Sequence, residues 1–573
     1  MNKKNQFVVL SIKYGGHDTA AAIMMDGIII AACEQERYTL DKHSRKFPID
    51  AIKDCLKIAK ISIRNVDEIA FVNQPKLFIR EFYLKPAIHD EKRLNFMMND
   101  LDIIKKNYSI ENLIREKTKF TGIINFYLHH DCHLASAYFP SGFKKTLLMS
   151  HDGVGEIATS VYASGNSNKI KYLNKENVYP DSLGLTYSAI TFFLGWQHHS
   201  DEGIIMGLAP YGDAFAKIKK TNKRYIDLFN EIILENGKLN YTINRKWISF
   251  YNERNTWITE DFKKIFGLPR KKNTRITSHH KNIAAALQLK IERIVIKQLK
   301  YLKEKYKFEN LCIAGGVGLN CSLNGKIDKK KIFKKIFIQP ASGDSGCTIG
   351  ACYLATNQHK KIYPIKENNF YLGTRYSQDE TYIEIKKSKL LFNEVDKNYN
   401  IIAKKIFDGK IIGWFQGAAE FGPRALGNRS ILCRPFPKKM KDYINFQIKF
   451  RENFRPFAPA VLYEFANEYF ILNDESPHML KAIQVNPSKK KLIPAVVHVD
   501  DSCRVQTVTK STNLPFYNLI KSFNEISGVP VILNTSFNVK GQPIVNTISQ
   551  AIKTFMSTKL DCLVIGKYYI DKN

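Results

Sequence analysis

Two histidines stand four positions apart in the stretch INFYLHHDCHLASAYFP, residues 124–140. On a helix, positions i and i+4 share one face, so His129 and His133 could present two imidazoles to one metal ion. The pair alone is a weak signal, because histidines also line or cap helices without binding a ligand. A zinc protease of the H-E-x-x-H type is disfavoured, because His130 stands where that motif has glutamate.

Two carboxylates in other segments strengthen the metal interpretation. Asp152 ends the apolar run TLLMSHD, and Asp344 lies in the loop of PASGDSG between a predicted strand and a predicted helix. Two imidazoles and two carboxylates with open coordination positions suit Fe(II), Mn or Zn that must also contact a substrate. We therefore predict a metal site, on condition that the fold brings these segments together.

A further histidine follows the first glycine turn, in the segment SIKYGGHDTAAA. The ordinary pKa of histidine lies near physiological pH, so His17 could act as a general base for a hydroxyl group. A turn histidine bonded to the backbone is an equally good interpretation of the residue itself.

Arginine is scarce in this lysine-rich chain, and five arginines lie within residues 424–455. The segments FQGAAEFGPRALGNRSILCRP, FRENFRPFAPAV and DSCRVQTV are followed by VILNTSFNVKG, where an apolar strand ends in polar residues. Guanidinium groups bind phosphates and carboxylates bidentately, which lysine cannot do, so we predict a polyanion pocket. Salt bridges to Glu420 and Glu452 are the alternative. The residues proposed for this pocket are Arg424, Arg455, Arg504 and Asn534.

Length and composition indicate a globular chain of more than one domain. The chain has 573 residues, 44% of them hydrophobic and 25% charged, with a formal net charge of +33. Such a charge could bind nucleic acid or an acidic membrane face. The lysines are spread along the chain, however, and no basic motif interleaved with aromatic residues accompanies them. We therefore disfavour nucleic acid as a partner.

The expected location is the cytoplasm, with no membrane span. No run of about 18 apolar residues occurs, and the basic start MNKKNQ leads directly into a strand, so a signal peptide is not expected. The scattered cysteines show no C-x-x-C pairing, as is usual for reduced thiols.

The order of predicted elements favours an α/β fold. Residues 7–37 read as strand, glycine turn and two further strands, and the glycine-rich segments around 308–327 and 334–355 repeat the strand–loop–helix theme. Two such lobes facing a cleft suit an actin-like fold. We expect a first domain over residues 1–355, a polar linker over 356–369 and a second α/β domain over 370–573. The charged, aromatic segment 215–275 looks like an insertion of unreadable role.

Assembled, the motifs resemble the O-carbamoyltransferases of the nodulation-protein and antibiotic-tailoring type. The matching segments run nearly end to end and include GGHDTAAA, HHDCHLASAYFPSGF, HDGVGE, DEGIIMGLAPYG, GGVGLNCSLNG, PASGDSGCTIGAC, GWFQGAAEFGPRALGNRSIL, FRENFRPFAPAV and LNTSFNVKGQPIV. So many distinctive segments in one order make chance similarity a poor explanation.

The resemblance implies a two-lobed N-terminal domain of the actin-like ATPase (ASKHA) superfamily, similar to the Kae1/TsaD proteins, and a YrdC-like α/β C-terminal domain. In such enzymes carbamoyl phosphate and ATP, the latter with Mg²⁺, form carbamoyl-adenylate in the YrdC-like domain. The carbamoyl group then passes to an acceptor hydroxyl in the Kae1-like domain.

The resemblance also implies roles for single residues. His129, His133, Asp152 and Asp344 would hold Fe(II) or another divalent metal that contacts the intermediate. His17 would be the acid/base residue, while Lys42 and Asn320 would help to bind the adenylate. ATP and carbamoyl phosphate would bind Arg424, Arg455, Arg504 and Asn534.

The chain departs from the family pattern at several positions. Ala418 stands where the family often has arginine, Ile204 stands where lysine is usual, and Asp131 and Cys132 separate the two proposed histidine ligands. Two rival functions stay open: a tRNA threonylcarbamoyladenosine-type modification enzyme, and a catalytically degraded binding protein. The sequence does not identify the acceptor, a small molecule or glycan, and leaves a homodimer undecided.

Overall fold

The computed structural model of the protein describes residues 6–174, 177–219, 221–252 and 256–572. Residues 1–5, with the basic start discussed above, lie outside the described residues. Within these ranges, no helix is long and apolar enough to cross a membrane. The described cysteines are free and buried.

The N-terminal part is built on two mixed sheets. The first has the strand order β3-β2-β1-β4-β5, and the second the order β13-β12-β6-β7-β8 with β9 beside β7. The strands are β1 Val8–Lys13, β2 Ala20–Met25, β3 Ile28–Glu34, β4 Glu68–Val72, β5 Ile123–Tyr127, β6 Lys145–His151, β7 Ala158–Asn166, β8 Lys169–Tyr172, β9 Asn177–Val178, β10 Ile233–Asn236, β11 Asn240–Ile243, β12 Asn310–Ala314 and β13 Lys335–Ile338.

Strand direction decides where side chains collect in these sheets. β1, β4 and β5 run parallel, as do β6, β12 and β13. β1 and nearly all of β6 are buried along their length, because layers cover both faces of each sheet. The carboxyl ends of the parallel strands therefore meet at one edge, where the loops carry the chemistry.

Helices connect and cover these strands. They are α1 Glu36–Thr39, α2 Ile49–Ala59, α3 Pro75–Phe78, α4 Lys85–His89, α5 Glu91–Asn99, α6 Leu101–Tyr108, α7 Ile110–Thr118, α8 His129–Tyr138, α9 Leu183–Phe193, α10 Glu202–Leu208, α11 Tyr225–Ile232, α12 Glu260–Phe266, α13 Ser278–Tyr306, α14 Cys321–Lys329 and α15 Cys347–His359, with a π-helix at Ile79–Leu84 and short 3-10 helices at Ile63–Asn65, Phe139–Ser141, Ala209–Tyr211, Gly316–Leu319 and Asp344–Gly346.

Helices α8 and α15 pack on each other and share a core with residues of both sheets. Almost every residue of α8 is buried, and small or apolar residues make up most of its second half, LASAY. A Cβ on Gly350 would lie 1.8 Å from the carbonyl oxygen of Cys132, so glycine is required for this close approach. The packing holds the start of α8 near the start of α15.

The C-terminal part forms another sheet, with the order β14-β23-β22-β15-β16-β21-β17-β20, and a small β18-β19 ladder. The strands are β14 Asn393–Glu394, β15 Ile412–Phe415, β16 Arg429–Cys433, β17 Ala458–Leu462, β18 Ala482–Gln484, β19 Ser502–Arg504, β20 Gln506–Val508, β21 Val531–Ser536, β22 Cys562–Ile565 and β23 Tyr568–Asp571. The helices are α16 Gln378–Lys387, α17 Asn400–Phe407, α18 Lys439–Gln447, α19 Ala466–Tyr469, α20 Leu514–Ser527 and α21 Ile548–Ser557, with 3-10 turns at Tyr463–Phe465 and Pro487–Leu492.

The structure is therefore a mixed α/β protein, as the sequence predicts. Helix α15 extends through His359, and residues 360–369 form no helix or strand. The division into domains at 356–369 stays a prediction.

Specific polar contacts join the N-terminal and C-terminal parts. The guanidinium of buried Arg37 donates to the carbonyl oxygen of Gly422 at 2.7 Å. Lys481 and Asp328 form a buried salt bridge at 3.0 Å. Because buried polar groups are costly to separate from their partners, these contacts fix one part against the other.

The segment 215–275 is not peripheral. Most of its described aromatic side chains join the large core around α9 and α13. Phe229 and Phe262 are fully buried there, and Trp247 and Trp257 nearly so. The weak periodicity of this segment is explained by its alternation of short elements, α11, the β10–β11 hairpin and α12. Residues 220 and 253–255 of the predicted insertion lie outside the described residues.

Candidate functional site

The histidine pair lies at the start of α8, directly after β5, and both imidazoles are buried. Asp152 follows β6, and Asp344 begins the 3-10 turn that leads into α15. The ends of the strands and the packing of α8 on α15 thus bring together the four side chains that the sequence nominated: His129, His133, Asp152 and Asp344.

The distances in this cluster are those of converging ligand atoms. The Nε2 atoms of His129 and His133 are 3.0 Å apart. Oδ2 of Asp152 lies 2.9 Å from Nε2 of His129 and 3.3 Å from Nε2 of His133. Oδ1 of Asp344 lies 3.6 Å from Nε2 of His129, and ligand atoms of all four residues lie within 4.8 Å of one another.

The electrostatics of the cluster fit a divalent cation. Burial disfavours charge on His129, but the carboxylates of Asp344 and Asp152 outweigh burial and raise its pKa. Burial likewise opposes ionisation of Asp152, yet hydrogen bonds from both histidines hold its pKa well below the ordinary value. Two carboxylates and two imidazole nitrogens aimed at one point are a donor set that Fe(II), Mn or Zn accepts.

Two residues beside the cluster were missed from the sequence. The ammonium group of buried Lys13 lies 3.2 Å from Oδ2 of Asp344 and also contacts the carbonyl oxygen of Gly15. The thiol of Cys347 can form an alternative ligand set with His129 and His133, since their ligand atoms also lie within 4.8 Å of one another. A lysine ending a buried strand and a cysteine opening a buried helix carry no motif that would have found them.

His17 lies at the same cavity and is held by a carboxylate that it shares with a second histidine. Asp18 bonds Nδ1 of His17 at 2.9 Å and Nδ1 of His43 at 2.7 Å. Burial disfavours the charged imidazole, but Asp18 outweighs burial and raises the pKa of His17 to about 9. His199 stacks on the His17 ring with the centroids 5.4 Å apart. The side-chain partner of His17 is thus a carboxylate that leaves Nε2 free for an acceptor.

The two residues proposed to bind the adenylate differ in their surroundings. Lys42 is exposed and lines the cavity, close enough to buried Lys449 to lower its pKa. The side-chain oxygen of Asn320 caps α14 by accepting from the backbone N–H of Leu323 at 3.0 Å, and its amide pairs with Gln288. Asn320 therefore has a structural role at the cavity wall, and a ligand would have to compete with Gln288.

The proposed polyanion pocket is a cluster of cations that repel each other. Burial lowers the pKa of Arg424, and Arg504 and Arg455 lower it further. Salt bridges to Glu420 and Glu452 were the alternative interpretation of these arginines. Glu452 does form one with Arg455, but the distance of 3.8 Å is long for a salt bridge. The Nε atoms of Arg424 and Arg504 are buried and have no hydrogen-bond partner among the described residues. Such charges are costly to bury without a counter-ion, so a cluster of this kind suits an anionic ligand.

Lys449 belongs to this cluster and was missed from the sequence. Its Nζ atom donates to oxygens of Ser536 and Asn538, at 2.7 to 3.3 Å, all of them uncharged. Burial lowers its pKa well below the ordinary value, with Arg451 and Arg455 adding to the effect. In a chain with so many exposed lysines, sequence alone could not single out a buried one.

Asn534 is the last of the predicted site residues, and Ile204, Ala418 and Asp131 are positions that depart from the family pattern. The amide of buried Asn534 donates to Gln506 at 2.9 Å, and its Oδ1 has no partner within the described ranges. Ile204 is buried in α10 and lines the cavity, whereas Ala418 is not among the lining residues. Asp131 accepts a hydrogen bond from Tyr172, away from the histidine cluster.

One cavity of about 1510 Å³ connects these groups. His129 and His133 lie behind its wall, while the other nominated residues line it: His17, Lys42, Asp152, Asn320, Asp344, Arg424, Arg455, Arg504 and Asn534. The carboxylates of the histidine cluster and the arginine cluster therefore face a common space between the two parts of the chain.

Comparison with known proteins gives consistent matches along the chain. The family model "Carbamoyltransferase N-terminus" matches residues 8–353, and "Carbamoyltransferase C-terminus" matches residues 403–572. An uncharacterized protein of Synechocystis sp. is 35% identical over 98% of this chain and 96% of its own length. Nodulation protein NolNO of Sinorhizobium fredii is 36% identical over 97% of this chain and 79% of its own. Nodulation protein U of Rhizobium tropici is 26% identical over 92% and 90%.

Similarity to solved structures is weak. The structure of T. kodakarensis HypF aligns with 62% of this chain and 48% of that chain, at 10% identity and a TM-score of 0.29. A TM-score of this size does not establish that the two proteins share a fold.

Proposed function

The chain belongs to the carbamoyltransferase family and is a carbamoyltransferase, and from its cavity we propose that it is an O-carbamoyltransferase that works through carbamoyl-adenylate. The observation that carries this proposal is the common cavity of about 1510 Å³, which an arginine cluster and a His/Asp cluster both face. A small anionic intermediate could pass between the two clusters without leaving the protein.

The first half-reaction is assigned to the arginine cluster. Carbamoyl phosphate, ATP and water give carbamoyl-adenylate, phosphate and pyrophosphate, with ATP delivered as its Mg²⁺ complex. Arg424, Arg455 and Arg504 would hold the phosphate groups bidentately, and Lys449 would add a point charge. Glu452, 3.8 Å from Arg455, balances only part of the positive charge of the cluster, and this supports the assignment because the substrates would supply further negative charge.

The second half-reaction is assigned to the other end of the cavity. The acceptor hydroxyl attacks the carbamoyl carbon, the bond from that carbon to the adenylate oxygen breaks, and AMP leaves. Nε2 of His17 takes the hydroxyl proton, while Asp18 orients the ring through Nδ1. Lys42 is suited to contact the adenylate phosphate, because it faces the cavity near Lys449.

A divalent metal, Fe(II) in our proposal, fits the cluster of His129, His133, Asp152 and Asp344. When bound, it would supply Lewis-acid stabilisation of negative charge that develops on the adenylate or the carbamoyl oxygen. Lys13 would limit the excess negative charge of the two carboxylates.

We assign the N-terminal sheets to a Kae1-like, actin-like fold and the C-terminal sheet to a YrdC-like fold. The support is the arrangement of two mixed sheets around α8 and α15, with the site at the carboxyl ends of parallel strands. The buried free thiols favour a reducing compartment such as the cytoplasm. The acceptor is proposed to be a hydroxyl-bearing small molecule or glycan.

A release assay without acceptor tests the first half-reaction. Under anaerobic, iron-replete conditions, the protein with ATP, carbamoyl phosphate and Mg²⁺ is expected to release pyrophosphate and to accumulate a species with the mass of carbamoyl-adenylate. Arg504→Gln should abolish the release, whereas Arg64→Gln, at an exposed site, should not. Pyrophosphate release that does not depend on carbamoyl phosphate would contradict the proposal.

The acceptor class and the metal are tested separately. His133→Ala is expected to form the adenylate but not to transfer its carbamoyl group to hydroxyl compounds. Transfer to threonylated adenosine in tRNA, without transfer to small molecules or glycans, would instead support the tRNA-modifying alternative.

A further inference from the structure

Behind the proposed metal ligand His129 lies a side chain that has no role in the function described so far. The Oδ1 atom of Asn73, the residue directly after β4, lies 3.0 Å from Nδ1 of His129. The opposite ring nitrogen, Nε2, points to Asp152 and His133. Asn73 thus contacts the imidazole on the side away from the ligand cluster.

This contact places a proton on Nδ1 of His129. An amide oxygen can only accept a hydrogen bond, so Nδ1 must donate one. If a metal replaces the proton that Nε2 shares with Asp152, the neutral imidazole keeps its proton on Nδ1 and presents its lone pair on Nε2, the atom that faces the cluster. Outer hydrogen bonds of this kind fix the tautomer and the ring orientation of metal-binding histidines.

A carboxylate from a third segment fixes the backbone at the same point. Oε1 of Glu156 accepts from the backbone N–H of Gln74 at 2.8 Å and from that of His129 at 3.1 Å. Glu156 is buried, and it satisfies an N–H at the start of α8 that the helix itself cannot satisfy. The loop after β4 and the start of α8 are therefore tied together, and the Asn73 amide is held against the His129 ring.

Asn73 adopts a backbone conformation that L-residues seldom take, with a φ of +102°. Asparagine tolerates positive φ better than most residues, and strained positions persist where the surrounding structure requires them. The second histidine differs, because Nδ1 of His133 is buried and finds no hydrogen-bond partner in the part of the chain that the structure describes. Of the two imidazoles, His129 is the one that a neighbouring side chain orients.

We propose that Asn73 is a positioning residue, which holds His129 with its proton on Nδ1 and its Nε2 directed at the metal. The inference rests on the proposed metal site and names the group that prepares one of its ligands. Neither the family comparison nor the sequence motifs point to this residue.

The test is the affinity of the purified full-length protein for Co²⁺, followed through the visible absorption of the bound ion. Asn73→Gly removes the amide without backbone strain, because glycine accepts a positive φ. It is expected to weaken binding about 10- to 100-fold and to change the absorption spectrum. Asn73→Asp keeps an acceptor oxygen and is expected to restore most of the affinity and the spectrum.

A matched variant separates this effect from a general loss of stability. Asn273→Gly makes the same change at another asparagine with a positive φ, +65°, which is exposed and does not contact His129. Its affinity for Co²⁺ should equal that of the parent. Melting temperatures of the metal-free variants will show whether Asn73→Gly is folded. If Asn73→Gly does not fold, the Asn73→Asp variant still tests the contact.

The outcomes distinguish the inference from the proposed function. If the parent binds Co²⁺ through His133, and Asn73→Gly binds it with unchanged affinity and spectrum, the inference is wrong and the metal site stands. Failure of Asn73→Asp to exceed Asn73→Gly also overturns it. If the parent protein itself binds no Co²⁺ and no Fe²⁺, the metal site fails, and the role of Asn73 fails with it.

Discussion

Lys481 forms a salt bridge with Asp328 at 3.0 Å, and both side chains are almost fully buried, with 5% and 6% of their surfaces exposed. The two residues belong to the C-terminal and N-terminal parts of the chain, so the contact spans the boundary beside the cavity. Asn473 also donates to Asp328, which leaves this carboxylate well satisfied. The relative position of the two clusters that face the cavity depends on contacts of this kind.

Removing one partner of this salt bridge should destabilise the protein more than removing both. Lys481→Met leaves a buried carboxylate without its counter-charge and is expected to cost about 3–5 kcal/mol of unfolding free energy. The double variant Lys481→Met with Asp328→Leu should recover part of this loss. Urea unfolding of the two single variants, the double variant and the parent measures the coupling; additive losses would show that the pair does not interact.

The arginine cluster is expected to lower the stability of the ligand-free protein and to strengthen the binding of anionic substrates. Arg504→Gln removes one of several buried like charges, so it is expected to raise the melting temperature of the ligand-free protein. The same change removes a charge-assisted contact worth about 2 kcal/mol, which corresponds to roughly 30-fold weaker binding of carbamoyl phosphate. Calorimetric titration and thermal unfolding test both signs. A variant that is less stable and binds normally would contradict the role of the cluster.

The sequence predicted the residues that meet in the cavity because their positions follow from strand topology. Asp152, Asp344 and the histidine pair each follow a strand, and parallel strands bring such residues to one edge. The i, i+4 spacing on α8 then places both imidazoles on one face. Chemical type and position were enough here.

Other parts of the site could not be predicted, because their roles depend on burial. Lys13 and Lys449 become distinctive only when packing removes them from water, and the sequence offers many similar lysines. Asn320 also caps a helix and pairs with Gln288, a partner far away along the chain that its spacing could not reveal, and its role toward the adenylate stays a prediction. The segment 215–275 had no readable period because several short elements contribute separate aromatic residues to one core.

The rate of carbamoyl transfer should depend on the proton of His17. Its pKa is raised to about 9, so below that pH most molecules carry an imidazolium, which cannot accept the hydroxyl proton. With limiting acceptor, kcat/KM is therefore expected to rise with pH, to reach half of its maximum near pH 9 and to level off above it. Charged and titratable neighbours of His17 include Asp18, His43, His199, Asp344 and Lys13.

Asp18→Asn tests the origin of this profile. Burial opposes the charged imidazole, so loss of the carboxylate should lower the pKa of His17 and move the start of the plateau to lower pH. Asp41→Asn, at an exposed position, should leave the profile unchanged. Equal inflection points in the parent and the Asp18 variant would show that another group controls the rate.

Close packing of α8 on α15 should matter for both stability and metal binding. A Cβ at position 350 would lie 1.8 Å from a backbone oxygen of α8, which cannot move without shifting that helix. Gly350→Ala is therefore expected to lower the unfolding free energy by about 1–3 kcal/mol, although alanine alone favours a helix. Because the shift would separate His133 from Asp344, the affinity for Co²⁺ should fall as well. Gly203→Ala makes the same change in α10, where a Cβ meets nothing within 4 Å, and should not destabilise the protein. Equal stability of the two variants would mean that α8 and α15 approach less closely than the structure shows.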